Sequence, residues 1–216
     1  MTRVTVIDYG MGNRRSVEKA LEHVGGKATI TNDHDELRHA DGLVLPGVGA
    51  FPQAMRNLDA LGLPDVLREL TDRGTPLLGI CLGMQLLFSS SEEMAGARGL
   101  GLIAGEVTRL QAGTRRIPHI GWNEVRFERP AALTAQLPEP GCPFYHVHSF
   151  AARPRERADV IGTTEYGERF ATIVGHGPVL GVQFHPEKSS RHGLAMLRSF
   201  VELCARRAAG SGRVAA

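Results

Sequence analysis

The sequence predicts an α/β fold: a mostly parallel, doubly wound sheet flanked by helices, with additional antiparallel or mixed strands in the second half. Three observations carry this. Between Val4 and Phe88 short apolar runs alternate four times with segments of helical periodicity, the order that builds a parallel sheet with helices on both faces. The fourth alternation holds Gly79-Ile80-Cys81-Leu82-Gly83, a strand, a sharp turn and a helix with a thiol on the turn. Beyond Ser89 the pattern becomes β-rich runs punctuated by glycine, which suits antiparallel or mixed pairing.

The elements follow in order. Val4 to Ile7 reads as a strand rather than a leader peptide, and Asp8-Tyr9-Gly10-Met11-Gly12-Asn13 as a glycine-punctuated loop. Ser16 is placed to cap a helix running to about Val24, with Val17, Ala20, Leu21 and Val24 on one face. Lys27 to Thr31 is a second strand, Asp33 to Ala40 a short polar helix, and Leu43 to Leu45 a third strand entering Pro46-Gly47-Val48-Gly49-Ala50. Residues 51–60 and 64–73 form two helical pieces broken by Gly62 and Pro64, and a strand at 76–80 leads to the cysteine, with helix continuing through Met84 to Phe88. Residues 91–101 read as a polar loop. Strands are then predicted at Gly105 to Leu110, within Ile117 to Phe127, at Pro143 to Phe150, at Phe170 to Val174 and at Val179 to Phe184. Ser189 to about Arg207 is an amphipathic helix using Leu194, Leu197, Phe200, Val201 and Cys204. One domain covers 1–207, and 208–216 is expected to be a mobile tail.

Composition narrows the function. With 42% hydrophobic and 22% charged residues the chain is ordinary for a soluble globular protein. A net charge of +2, with no basic stripe, does not suit nucleic acid. No apolar run is long enough for a membrane span. Three widely spaced cysteines without CxxC argue against a disulfide framework or zinc site and for a reducing cytoplasm.

The chemistry centres on Cys81. A helix starting at the thiol favours its thiolate, although a lone cysteine beside a turn is more often a small core residue. His185 ends the Val179 to Phe184 run, where open α/β sheets place their ligands. Glu187, two residues on, can orient the imidazole. Cysteine, histidine and carboxylate supply nucleophile, base and orienter for acyl transfer. In Gly47-Val48-Gly49 the two glycines let a backbone N–H at Val48 or Gly49 turn toward an oxyanion, with the Leu82 N–H as second donor. His146 and His148 share a strand face, which taken alone permits a metal pair. No third ligand stands at sensible spacing, so no metal is expected.

Gly-Ile-Cys-Leu-Gly-Met-Gln at 79–85 together with Gln-Phe-His-Pro-Glu-Lys-Ser at 183–189 resembles the class I, triad-type glutamine amidotransferases. The segments at 8–13, 45–51, 118–123 and 146–150 look like those of the glutaminase subunits of imidazole glycerol phosphate synthase, from about residue 3 to 204. The alternative is a triad glutaminase serving another biosynthetic pathway. The resemblance implies that Cys81 attacks glutamine, His185 protonates the departing ammonia and Glu187 holds His185, with no cofactor. It gives Gln85, Gly47, His148, Ser149 and Phe150 to the substrate pocket. It implies a heterodimer with a (βα)8-barrel cyclase that receives the ammonia, faced by Asn13, Trp122, Asn123 and Lys188. Trp122 could equally be core, and Lys188 a solvated surface residue. Arg14 stands where the resemblance leads one to expect an apolar residue.

Overall fold

The first strand, β1 (Arg3–Ile7), shows how the sequence builds layers. Val4 and Val6 join one buried cluster and Ile7 joins another on the opposite face, as a period of two requires. The computed structural model describes residues 1–211. The elements β1, α1 (Arg14–His23), β2 (Lys27–Thr31), α2 (His34–Arg38), β3 (Gly42–Leu45), α3 (Phe51–Ala60), α4 (Leu63–Asp72), β4 (Leu77–Ile80) and α5 (Leu82–Leu86) wind the parallel half. Then come β5 (Phe88–Ser91), β6 (Ala97–Arg98), β7 (Ile103–Arg109), β8 (His119–Phe127), β9 (Gly141–His148), β10 (Phe150–Pro154), β11 (Val160–Glu165), β12 (Arg169–His176), β13 (Val179–Val182) and α6 (Ser190–Ser211).

The sheet runs β2-β1-β3-β4-β13-β12-β10-β7-β5-β6, with β11 joining β12 to the β8–β9 ladder. The first five strands are parallel. β12 and β10 are antiparallel neighbours, and β8, β9 and β11 form an antiparallel extension. Helices α1 and α6 pack on one face through Val17, Leu21, Leu197 and Phe200, while α2, α3 and α4 cover the other through Leu37, Leu58 and Leu67. The sheet is therefore doubly wound, and β3, β4 and β13 are buried throughout.

Strand β13, from the far end of the sequence, lies parallel to β4 with Val182 opposite Ile80. The turns that follow these strands open at the same edge of the sheet. One turn carries Cys81 and the other leads to His185.

Several boundaries differ from the sequence reading. α1 starts at Arg14, so Ser16 lies in its first turn and Asn13 holds the cap position without a side-chain bond. Arg14 turns back to pair with Asp8 instead of packing as an apolar residue. The cysteine helix stops at Leu86, because Phe88 to Ser91 pairs with β7 and the serines favour extension over helix. The loop at 91–101 contains the short strand β6 paired to β5. The run at 143–150 breaks at Ser149 into β9 and β10, which join different ladders. β11 is absent from the sequence reading, since Gly162 interrupts its alternation at a register shift. α6 continues past Arg207 through Ser211, Ala208 and Ala209 being strong helix formers. The remainder of the expected tail lies outside the described residues.

Candidate active site

Cys81 links β4 to α5 with φ 56° and ψ −111°, a conformation that L residues rarely adopt. The flanking glycines make the elbow possible. A Cβ on Gly83 would lie 1.8 Å from the Leu45 carbonyl oxygen, and one on Gly79 would lie 2.6 Å from the Gly83 oxygen. Strand and helix therefore touch through backbone, and the thiol is thrust up from the sheet. The Cys81 N–H donates to the Val182 carbonyl at 2.8 Å, fixing the cysteine to β13. Its sulfur is 3.7 Å from the Val147 carbonyl oxygen, and the Gln183 Nε2–H donates to it at 3.8 Å.

His185 stands over this thiol. Its Nδ1 donates to Glu187 Oε1 at 3.0 Å, and both side chains are almost wholly buried. Burial pushes the imidazole pKa down, but hydrogen bonds from it to Cys81 and Glu187, with their charges, carry it up to about 10. At neutral pH the histidine is thus an imidazolium, placed between the Cys81 sulfur and the Glu187 carboxyl. Its position is stitched to the neighbouring strand. The His185 N–H donates to the Tyr145 carbonyl at 3.0 Å, the Tyr145 N–H to Ser189 Oγ at 3.0 Å, and the Ser189 hydroxyl to the His185 carbonyl at 2.7 Å.

A cavity of about 310 Å³ opens above the sulfur. Of the sequence-predicted residues, Cys81, His185, Val48, Gly49, Leu82, Gln85, His148, Ser149, Phe150 and Lys188 line it. Gly47 does not. It is buried behind the loop, where a Cβ would lie 2.6 Å from the Tyr9 hydroxyl oxygen and 2.9 Å from Leu82 Cβ. It supports the turn and makes no wall. The Tyr9 hydroxyl donates to the Pro46 carbonyl at 2.7 Å and anchors the same loop. Val48 and Gly49 are exposed, with Gly49 at φ +109°. The Leu82 N–H belongs to the first turn of α5, where helical amides have no intrahelical acceptor.

Gln85 is oriented more narrowly than the sequence implied. Both of its Nε2 hydrogens are committed, to the Phe150 carbonyl at 3.1 Å and to Gln183 Oε1 at 3.0 Å. It therefore presents its amide oxygen, an acceptor. Glu93, Pro118 and Val147 also line the cavity. Glu93 accepts the Phe51 N–H at 2.8 Å and, among the described residues, brings the one carboxylate on the cavity wall. It sits in a polar loop whose pattern gave no periodic signal.

His148 faces the cavity, whereas His146 points into the interior. His146 Nδ1 donates to the Phe144 carbonyl at 3.1 Å, and the Thr172 hydroxyl meets its Nε2 at 3.0 Å. Burial holds His148 down at about 3 and His146 well below the usual histidine range, and burial with the Arg115 charge holds His119 at about 4. All three are neutral at physiological pH. Among the described residues no group of three or more His, Cys, Asp or Glu is arranged to hold a metal ion.

Of the residues assigned to a partner face, only Lys188 lines the cavity. Asn13 and Lys188 are exposed, and Trp122 is 54% exposed. Asn123 is half-buried, with its amide turned inward to His119 and the Glu165 carbonyl.

An elbow thiol, an imidazolium and a buried carboxylate thus share one edge of a doubly wound sheet, beside backbone amides and a small polar cavity. The family model described as "Glutamine amidotransferase class-I" matches residues 5–203. The chain belongs to that family. As a class-I glutamine amidotransferase it is 55% identical over 203 residues to "Imidazole glycerol phosphate synthase subunit HisH" of Moorella thermoacetica, covering 94% of this chain and 96% of that protein. The protein of the same name from Aquifex aeolicus is 48% identical over 199 residues, covering 92% and 95%. The fold is shared with a crystal structure described as that of a putative GMP synthase protein from Thermoplasma acidophilum, at TM-score 0.76, 21% identity and 98% coverage of both chains. A second solved structure, described as a glutamine amidotransferase, gives TM-score 0.74 at 21% identity over 94% of this chain and 98% of that one. Among the described residues of this amidotransferase no helix is long and apolar enough to cross a membrane.

Proposed function

We propose that this chain is the glutaminase subunit of imidazole glycerol phosphate synthase. It hydrolyses glutamine to glutamate and ammonia and passes the ammonia to a cyclase subunit in histidine biosynthesis. The observation that carries the chemistry is the Cys81–His185–Glu187 arrangement at the floor of a cavity with a carboxylate on its wall. The choice of pathway rests on the relatives named above.

In this reading the Cys81 thiolate attacks the side-chain carboxamide carbon of glutamine. The carbonyl oxygen becomes an oxyanion, met by the Leu82 N–H and by an N–H of the Val48–Gly49 turn. Collapse breaks the C–N bond as the His185 imidazolium gives its proton to the departing nitrogen, leaving a γ-glutamyl thioester and ammonia. His185, now neutral, takes a proton from water, which attacks the thioester and releases glutamate with the thiolate restored. Glu187 holds Nδ1 throughout, so the ring presents Nε2 to sulfur, nitrogen and water in turn. Glu93 and the Gln85 amide oxygen receive the α-ammonium of the substrate, and the Ser149–Phe150 backbone frames its carboxylate.

Partner docking is supported by exposed apolar surface. Val48, Ile120 and Trp122 are 45%, 59% and 54% exposed. Ile120 pairs with Val147, and Trp122 with Tyr145, on one face of the β8–β9 ladder, and Val147 lines the cavity. An apolar face leading into an active-site mouth suits a protein partner that receives the product. We assign it to a (βα)8-barrel cyclase in a cytoplasmic heterodimer, with Asn13 and Lys188 at the rim and the barrel as ammonia channel. The test is glutaminase assay with and without the cyclase and its nucleotide ligand. Low activity alone and a large rise in the complex are expected, through allosteric organisation of the exposed Val48–Gly49 turn. No glutamine hydrolysis in either condition overturns the assignment.

A further inference from the structure

A chain of side-chain hydrogen bonds runs behind the cavity wall, and its donors can be assigned one by one. His148 Nδ1 lies 2.8 Å from the Phe150 carbonyl oxygen. That oxygen only accepts, so Nδ1 carries the proton of the neutral ring and Nε2 carries the lone pair. The lone pair faces His119 Nδ1 at 3.0 Å, so His119 is protonated at Nδ1 and donates. His119 Nε2 is then an acceptor, and Asn123 Nδ2 donates to it at 3.2 Å. The Asn123 amide is oriented independently of the rings: Nδ2 also donates to the Glu165 carbonyl at 3.0 Å, and Oδ1 accepts the Glu124 N–H at 2.9 Å. Every proton along the chain points toward the cavity.

Packing holds the central ring as firmly as its bonds do. His119 is 2% exposed and stacks between Tyr166, at 4.0 Å and 24°, and His146, at 4.9 Å and 22°. Tyr166 is itself pinned by its hydroxyl, which donates to the Arg116 carbonyl at 2.8 Å. The inner end is the Phe150 carbonyl, which accepts from both His148 and Gln85. With the proton of His148 on Nε2 instead, two lone pairs would face each other across 2.8 Å, and the carbonyl that orients Gln85 would be driven away.

We propose that His119 is a positioning residue for glutamine hydrolysis: it fixes His148 as the Nδ1–H tautomer, and through it the Phe150 carbonyl and the Gln85 amide. The proposal rests on the glutaminase reading and deepens it, since His119 reaches the substrate only through these groups. Its outer end at Asn123 lies beside Trp122, so the same bonds connect the apolar docking face to the substrate wall.

The experiment combines histidine ¹⁵N spectroscopy with kinetics on the full chain in complex with the cyclase. In the wild type, His148 and His119 should both show a protonated Nδ1 and an unprotonated Nε2. His119→Phe keeps a stacked ring and removes the donor. It should let His148 exchange tautomers and raise KM for glutamine about tenfold, the effect of one orphaned buried acceptor, with less effect on kcat. His119→Asn, whose amide can place an N–H near the Nδ1 position, should restore most of the affinity and the Nδ1–H signature. An Nε2–H form of His148 in the wild type overturns the proposal and needs no variant to fold. Unchanged KM in His119→Phe, or equal losses in the Phe and Asn variants, also overturns it. The tautomer is read without substrate, so absence of glutaminase activity would sink the functional reading while leaving the assignment of His148 to stand or fall separately.

Discussion

Replacing Cys81 by glycine should stabilise the protein relative to replacing it by alanine, the reverse of an ordinary buried position. Holding a residue with a Cβ at φ 56°, ψ −111° costs about 1–3 kcal/mol, a cost that glycine escapes. Against this, glycine brings about 0.4–1 kcal/mol of unfolded-chain entropy, and the lost methyl removes about 0.8 kcal/mol of burial. With central values of about 2, 0.7 and 0.8 kcal/mol, the glycine variant comes out ahead by roughly 0.5 kcal/mol. At an unstrained buried site the same change would cost about 1.5 kcal/mol. Both variants lack the nucleophile, so stability can be compared without substrate or turnover. The assay is urea unfolding of Cys81→Ala and Cys81→Gly under identical conditions, comparing midpoints at equal m-value. A glycine variant less stable than the alanine variant by about 1.5 kcal/mol would show that the elbow stores no strain and that its glycines alone shape the turn.

Cys81→Ala should abolish glutamine-dependent synthesis by the complex yet spare synthesis from added ammonia; loss of both would make the cysteine structural. Glu93→Gln should raise KM for glutamine roughly tenfold to a hundredfold, the worth of one charge-assisted hydrogen bond, with kcat little changed, as steady-state kinetics would read. The His185 imidazolium is held up to about 10, above the ordinary 6.5 of an unfolded chain, so its stabilising contribution is complete below pH 6.5 and disappears as pH rises through about 10. Urea midpoints at pH 6, 8 and 10 should therefore show the advantage of wild type over His185→Gln shrinking with pH; an advantage that grows would refute the ion-pair assignment. Trp122→Ala should weaken association with the cyclase by about 2 kcal/mol, near thirtyfold in Kd, measured by titration calorimetry.

The sequence made most of the fold legible, because four strand–helix units announce themselves by period and by Gly79 and Gly83. Cys81, His185 and Glu187 stood out in the sequence for the same reason: each stands beside a residue that constrains backbone, Gly79 and Gly83 around Cys81, and Pro186 between His185 and Glu187. Glu93 escaped notice because a cavity wall drawn from a polar loop has no periodicity. Gln85 lines the cavity, and its orientation depends on Gln183 and Phe150, far away in sequence and adjacent only through β13 and β10. Gly47 illustrates the opposite error. Its neighbours Val48 and Gly49 reach the cavity, but a glycine pressed against Tyr9 fills the space behind the turn. Asn123 showed only as half of a Trp-Asn pair, with nothing local to signal that its amide feeds His119.

The stitching of His185 to Tyr145 through Ser189 divides the site into unequal jaws. His185, the cavity wall on β9 and the cysteine tethered to Val182 share one hydrogen-bonded frame. Across from them, the Val48–Gly49 turn is exposed, with Tyr9, Met11 and Leu82 packed close against its loop. Separating the His185 segment from β9 would break two hydrogen bonds, His185 N–H to the Tyr145 carbonyl and Tyr145 N–H to Ser189 Oγ. The hydrogen-bonded frame holds Cys81 and His185 in fixed register, and the exposed Val48–Gly49 turn faces them across the cavity.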